Sequence, residues 1–400
     1  MRLSTAQIFQ QGISNILNQQ AQLQKTQQQL ASGLRVTTPA DDPIAAVQIL
    51  DLTEDLQQLD QFQRNANLAE GQIALADTVL QDVTDVLQRV RELTVQANNA
   101  TQTPETRRAI ATEMEGRLDE LVSLANTRDA NGEFVFAGFQ AQTQPFSRSG
   151  GQVLYNGDEG QRFLQVAPNT QLAVRDSGRA VFMDIPAGNG RFDIRADAGN
   201  AGTAIVDASS AAANYQRDTY TISFSQPTPA DPVTFTVTDS SAAVVASGPY
   251  QSGASISFNG ASVTFEGAPA DGDSFTVPAA PRQDVFSSVQ NIIDSLKSST
   301  TGPAASASVN NAMASGLANL DQALGRMLEQ QADLGVRLNR IDSLRESNDA
   351  FTLQLQETLS EVRDLDVTEA ISRLNLQLVA LQAAQQSYVR IQGLSLFNFL

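Results

Sequence analysis

Two pairs of acids in this sequence are spaced so that chemistry could use them. Asp41 and Asp42 are adjacent, and Asp271 and Asp273 flank Gly272. Paired carboxylates can bind Ca²⁺ through oxygen or share a proton as an acid–base pair. Both pairs also have a conformational use. An aspartate directly before a proline, as in Asp42-Pro43, supplies the N-cap and first residue of a helix. Asp271-Gly272-Asp273 reads as a β-turn, and Asn156-Gly157-Asp158 likewise. The conformational use is the expectation at all three places.

The rest of the composition points the same way. Histidine and cysteine are both absent, which removes the commonest general base, the commonest transition-metal ligand and any thiolate. Lysine occurs only at positions 25 and 297, so Schiff-base chemistry has few candidates. No glycine-rich loop has phosphate-binding spacing, and no serine nucleophile has a plausible base. The expectation is a protein that is not an enzyme, with no cofactor and no metal. A net charge of −18 argues against nucleic acid and against an anionic membrane surface. No apolar run is long enough to span a bilayer. The start MRLSTAQIFQQGI lacks the charged-then-apolar pattern of a cleavable signal peptide.

The carboxylates sit on a chain dominated by helical periodicity. Residues 3–32 predict one helix with a single charge, Lys25, and a seam at Phe9, Ile13, Ile16, Gln20, Leu23, Gln27 and Leu30. Gly33 supplies its C-terminal stop. A second helix from Pro43 to about Thr101 keeps an unbroken four–three alternation from Phe62 to Ala97, and a third follows Thr103-Pro104 to about Arg128. After a central region, helices resume near Gln283 and after Gly302-Pro303. The last of these runs to about Arg363, with a seam from Leu317 to Val362. Each of the two long helices extends about 90 Å at 1.5 Å per residue.

The final stretch opens on a capping box, Asp366 with Glu369. It carries Val367, Ile371, Leu374, Leu378, Leu381 and Tyr388 as a seam broken at Gln385, then ends on the apolar hexapeptide SLFNFL, with Leu396, Phe397, Phe399 and Leu400. Between the helical halves, residues 133–281 read as strands and turns, with Asn259-Gly260 the clearest hairpin signal. Phe134, Phe136, Phe163, Phe224, Phe235, Phe258, Phe265 and Phe275 are expected as its core, in preference to a carbohydrate-binding surface. A loose surface segment is expected at 188–210.

The order of elements is nearly palindromic. It predicts an α+β fold: an elongated antiparallel coiled-coil rod formed by both chain ends, with an inserted all-β outer domain. Five segments follow: 1–35 and 365–400 as terminal axial helices, 36–132 and 282–364 as rod helices, and 133–281 as the β domain. A sticky base, a stiff rod and a compact outer domain suit a subunit of a tubular polymer.

The motifs carry a resemblance. LASGLRVTTPADDPIAA (30–46), NGEFVFAGF (131–139), YNGDEGQRFLQV (155–166), GAPADGDSFTV (267–277), GVRLNRIDSL (335–344) and SLFNFL (395–400) are similar, in order, to segments of the flagellin-like axial proteins of the bacterial flagellum. The DDP form and the SLFNFL ending resemble its hook–filament junction members. The resemblance implies a non-enzymatic structural protein, exported through the flagellar type III apparatus to the outside of the cell without a cleaved signal. It implies self-association into a tubular layer between hook-associated protein 1 and flagellin, and an export chaperone that holds the C-terminal segment. Gly33, Asp41, Asp42 and Pro43 belong to its N-terminal signature. A filament-forming flagellin is the alternative within the family; an enzyme or an adhesin built on the β region is the alternative outside it.

Overall fold

The computed structural model describes residues 5–397. Six α-helices flank a central β region: α1 (Thr5–Ser32), α2 (Pro43–Ala97), α3 (Pro104–Ala125), α4 (Val285–Lys297), α5 (Pro303–Arg363) and α6 (Val367–Phe397). Local chemistry explains where each begins. Asp42 accepts from the Ala45 N–H at 3.1 Å ahead of α2, and Thr103 from the Thr106 N–H at 3.2 Å ahead of α3. Asp284 accepts from the Ser287 N–H at 2.6 Å, and Asp366 from the Thr368 and Glu369 N–H groups at 2.9 and 3.0 Å. These side chains satisfy donors that a helix start leaves without a partner.

Fourteen strands lie between the helical halves: β1 (Phe146–Ser149), β2 (Gln152–Tyr155), β3 (Arg162–Ala167), β4 (Thr170–Arg175), β5 (Ile185–Pro186), β6 (Arg195–Ala196), β7 (Ile205–Ala211), β8 (Tyr220–Ser225), β9 (Thr234–Thr238), β10 (Val244–Pro249), β11 (Ser255–Phe258), β12 (Ala261–Glu266), β13 (Ser274–Val277) and β14 (Arg282–Gln283). All pairings are antiparallel. A five-stranded sheet ordered β10-β9-β8-β13-β6 and a three-stranded sheet ordered β11-β12-β7 enclose one aromatic core. The fold is thus helical at both ends with a central antiparallel β domain, as the periodicity predicted.

Contacts divide the chain into a unit of residues 1–64 with 343–400 and a unit of residues 65–342. Helices α2 and α5 contribute to both. In the second unit the α2 seam is buried at every step from Ala66, through Ile73, Leu80 and Leu87, to Ala97. Helices α3 and α4 pack on each other, and Met114, Leu118 and Leu121 on one and Val289, Ile292 and Ile293 on the other are all buried. Gly316 of α5 lies so close to Ile292 that a Cβ there would fall 2.5 Å from its side chain.

Among the β-region phenylalanines, Phe224, Phe258, Phe265 and Phe275 are buried in the sandwich and Phe235 packs against it. Phe134 and Phe136 are also buried, but Phe163 is an exception at 52% exposed. The 188–210 segment differs from expectation as well. It contains β6 and most of β7, and Ala204 is buried. Its small residues mark close packing: a Cβ on Gly202 would lie 2.4 Å from the Ala270 nitrogen.

The turns are as expected. Asn259 and Gly260, at φ of +42° and +82°, close the β11–β12 hairpin. Asp273 is buried and accepts the Ala201, Gly202 and Ala270 N–H groups at 2.8, 3.1 and 2.8 Å. Asp271 accepts from the Gln226 N–H at 2.8 Å, and Asp158 from those of Phe139, Gln140 and Gly160 at 2.9, 3.0 and 2.8 Å. These carboxylates hold backbone. Among the described residues there is no group of three or more acids that could hold a metal ion.

Candidate assembly surface

The first unit brings both chain ends together. Helices α1 and α6 run antiparallel, joined at one end by main-chain bonds between the links that follow α1 and α5. The Arg35 N–H donates to the Arg363 carbonyl at 2.7 Å, and the Leu365 N–H to the Gly33 carbonyl at 2.9 Å. Gly33 sits at φ +72°, a conformation that glycine adopts without strain. Farther along the pair, Phe9 meets Tyr388 edge to face with ring centroids 6.1 Å apart.

The face of α1 turned to α6 corrects the predicted seam. The shielded positions are Phe9, Gly12, Ile16, Gln19, Leu23, Thr26 and Leu30, whereas Ile13, Gln20 and Gln27 are exposed. On α6 the shielded set is Ala370, Leu374, Gln377, Leu381, Ala384 and Tyr388, with Ile371 and Leu378 outside. Both sets step by four and three without a slip, so the break assigned to Gln385 disappears. The physical reason for the shift is at Gly12. A Cβ there would lie 3.1 Å from the Tyr388 ring, so the missing side chain lets that ring approach. Ile16, Leu23, Leu30, Leu374, Leu381 and Tyr388 therefore face the partner helix of the same chain. Phe399 and Leu400 lie outside the described residues, as do the side chains of Leu396 and Phe397.

This phase leaves a second apolar face uncovered. Most of the exposed large apolar side chains among the described residues belong to the first unit, which holds under a third of the chain. On α6, Leu376 is 72% and Val379 65% exposed, and Leu378 is 40% exposed. Ile13 and Leu17 on α1 and Ile44 and Leu50 on α2 are also open. The α1–α6 pair itself is imperfect: the Oε1 atoms of Gln19 and Gln377 are buried without a hydrogen-bond partner.

The link between α1 and α2 is a clasp. Arg35 donates through Nε and Nη2 to the Val362 carbonyl at 3.1 and 2.6 Å, and through Nη1 to Asp42 at 3.4 Å. Asp42 caps α2 with Pro43 behind it, as expected. Asp41 does something else. It accepts from the Thr37 and Thr38 N–H groups and the Thr37 hydroxyl at 3.2, 2.9 and 2.8 Å, and its other oxygen meets Lys25 at 2.7 Å. The Lys25 ammonium, then Thr37 and Thr38, hold the Asp41 carboxyl far below the usual carboxylate range. Sequence reasoning passed over Lys25 and Arg35, although Lys25 was visible as the lone charge of α1.

A depressed folded-state pKa stabilises the fold above the unfolded pKa, and that stabilisation is lost as pH falls through the folded one. The expected result for Asp41→Asn is thus a stability deficit that is constant at neutral pH and narrows only below the ordinary carboxylate range. Urea titrations of both chains from pH 7 to pH 2 measure it; a deficit that stays constant across that range refutes the clasp.

Comparison with known proteins follows the same two halves. The bacterial flagellin N-terminal helical region matches residues 3–141, and the bacterial flagellin C-terminal helical region matches 317–400. Flagellar hook-associated protein 3 of Escherichia coli strain K12 is 28% identical over 398 residues, spanning 100% of this chain and 99% of the relative. The crystal structure of the flagellar junction protein FlgL from Legionella pneumophila is 33% identical and covers 79% of this chain and 100% of its own, with a TM-score of 0.72. The chain belongs to the flagellar hook-associated protein 3 family. Flagellin itself is a more partial likeness. The phase 1 flagellin of Salmonella naestved is 32% identical over 124 residues, 31% of this chain and 25% of that protein. The hook-associated relative aligns along the whole chain, while this flagellin aligns over 124 residues of it.

Proposed function

We propose that this protein is a structural subunit of the bacterial flagellum that joins the hook to the filament. It self-associates into a short tubular layer through the outer faces of α1 and α6, meeting hook-associated protein 1 on one side and flagellin on the other. The observation that carries this reading is the uncovered apolar face of the first unit, on a chain related along its whole length to a flagellar hook-associated protein 3. Contiguous apolar surface rimmed by polar residues marks an interaction site. The interface consists of Ile13, Gln20, Gln27, Ile371 and Leu378, which face outward. Ile16, Leu23, Leu30, Leu374, Leu381 and Tyr388 hold the α1–α6 pair that presents them, and Leu396, Phe397, Phe399 and Leu400 are assigned to assembly from the sequence alone. The five segments named from the sequence serve as axial helices, rod and outer domain.

The role needs no catalysis, which agrees with acids committed to caps and turns. Export through the flagellar type III apparatus, with a chaperone on the C-terminal segment, follows from the same reading and places the protein outside the cell. Seeded polymerisation tests it against the flagellin alternative. Purified protein mixed with hook fragments capped by hook-associated protein 1 should add a layer of fixed length at the tip; growth into long filaments overturns the junction role.

A further inference from the structure

The second unit holds a groove of about 570 Å³ between β7 and α5. Residues 205–209 of β7 form one wall, and the α5 face from Asn310 to Gln322 forms the other. β7 is the last strand of its sheet, so one side of its backbone has no partner strand. In an antiparallel pair, residues alternate between bonding the neighbour strand and pointing away from it. The Ala212 N–H donates to the Gly260 carbonyl at 2.8 Å, and Ser209 sits opposite Val263. That alternation turns the N–H and carbonyl of Ser209 towards the groove.

Farther along the edge, a side chain already imitates a strand. The Asn311 carboxamide accepts from the Val206 N–H at 2.8 Å and donates to the Ala204 carbonyl at 2.9 Å. Beyond that rung, Asn189 reaches Ser209 through the hydroxyl alone, at 3.2 Å. Across the groove α5 presents Ala314, Ser315 and Ala318, whose short side chains leave depth. The lining includes three carboxylates, Asp193, Asp207 and Asp321, and among the described residues that line it there is no lysine or arginine. Arg195 pairs with Asp193 and Arg91 with Asp321, while Asp207 is exposed on the open edge. The opposite edge of the sandwich is built differently. β10, at an edge of the other sheet, ends at Pro249, which cannot donate to a ladder, whereas β7 holds no proline; both strands bear a bulge, that of β7 at Asp207, where Ala208 pairs with Thr264 and Val206 with Phe265.

We propose that the groove receives an extended basic segment of another protein, added to β7 as a fourth strand. Main-chain bonds at Ser209 add to the rung that Asn311 makes at Val206, across the bulge at Asp207, and arginine or lysine side chains of the incoming strand meet Asp207 at the mouth. Strand addition draws affinity from the backbone and selectivity from the side-chain contacts. The site is independent of the terminal helices, so its failure leaves the junction role untouched.

The probe is a blocked hexapeptide of alternating threonine, arginine and valine, with a glutamate-for-arginine control, added to the full-length chain. The arginine peptide at millimolar concentration should slow amide exchange at Ser209 roughly tenfold or more, and the glutamate peptide should not. Asp207→Lys, on an exposed residue, should weaken arginine-peptide binding by about tenfold, and Ala314→Trp should fill the groove and remove binding. Unchanged exchange at Ser209, equal protection by the glutamate peptide, or undiminished binding by Asp207→Lys each overturns the proposal.

Discussion

Leu378→Asp should leave the isolated chain as stable as the parent and abolish filament attachment. Leu378 flanks the α1 seam at 40% exposed, so in the free subunit the new carboxylate can still turn into water. Surface changes of that kind shift stability by about 0.5 kcal/mol or less. In the proposed layer the same side chain would lose its water. An unpartnered charge in a desolvated interface costs several kcal/mol, on the order of 3–5 when a buried ion lacks its partner. Cells carrying the variant should display hooks and release the subunit into the medium, with unchanged thermal unfolding of the purified protein. Normal filaments would falsify the assembly face. Leu381→Asp gives the internal control. It faces α1, so it should raise amide exchange along both helices even in a monomer.

Arg175→Met has the largest expected effect on stability. Its side chain is 2% exposed at the end of β4, 2.7 Å from Asp129 and also bonded to Glu133. Arg162 reaches Glu133 from an exposed position at 3.4 Å. Removing the arginine leaves a nearly buried aspartate, at 9% exposed, without its cation. Breaking a buried pair from one side costs about 3–5 kcal/mol. The urea midpoint should fall accordingly. The triple change Arg175→Met, Asp129→Asn, Glu133→Gln should recover most of the loss, because no charge is then stranded. A single-variant loss under about 1 kcal/mol would show that solvent screens the pair.

How far the sequence carried depended on whether apolar residues themselves chose the phase. From Phe62 to Ala97 only one face of α2 is consistently apolar or small, and that face is buried along its length. In α1 the choice was ambiguous. Two heptad frames share Phe9, Ile16, Leu23 and Leu30, and they differ in whether Ile13, Gln20 and Gln27 or Gly12, Gln19 and Thr26 fill the gaps. Counting apolar residues favours the first frame, and the fold uses the second because the Tyr388 ring needs the space at Gly12. The α6 frame shifted for the same reason: Ala384 replaces the supposed break. Capping and turn aspartates were legible because their function is local. Asp41 was not, since its partners Lys25 and Thr37 meet only after the chain folds back at Gly33. Phe163 and the 188–210 segment failed together. Composition reports size and polarity there, while the register of neighbouring strands decides what is covered.

The two glutamine oxygens stranded between α1 and α6 have a kinetic consequence. Each buried acceptor without a donor costs about 1–3 kcal/mol, so a pair that closes over Gln19 and Gln377 is held by a narrow margin. In the proposed layer, incoming subunits bring new amide donors as well as new apolar surface. Local opening of the pair is made easier by that cost, so α1 can readjust against α6 quickly as a subunit docks while the pair still presents its outer faces.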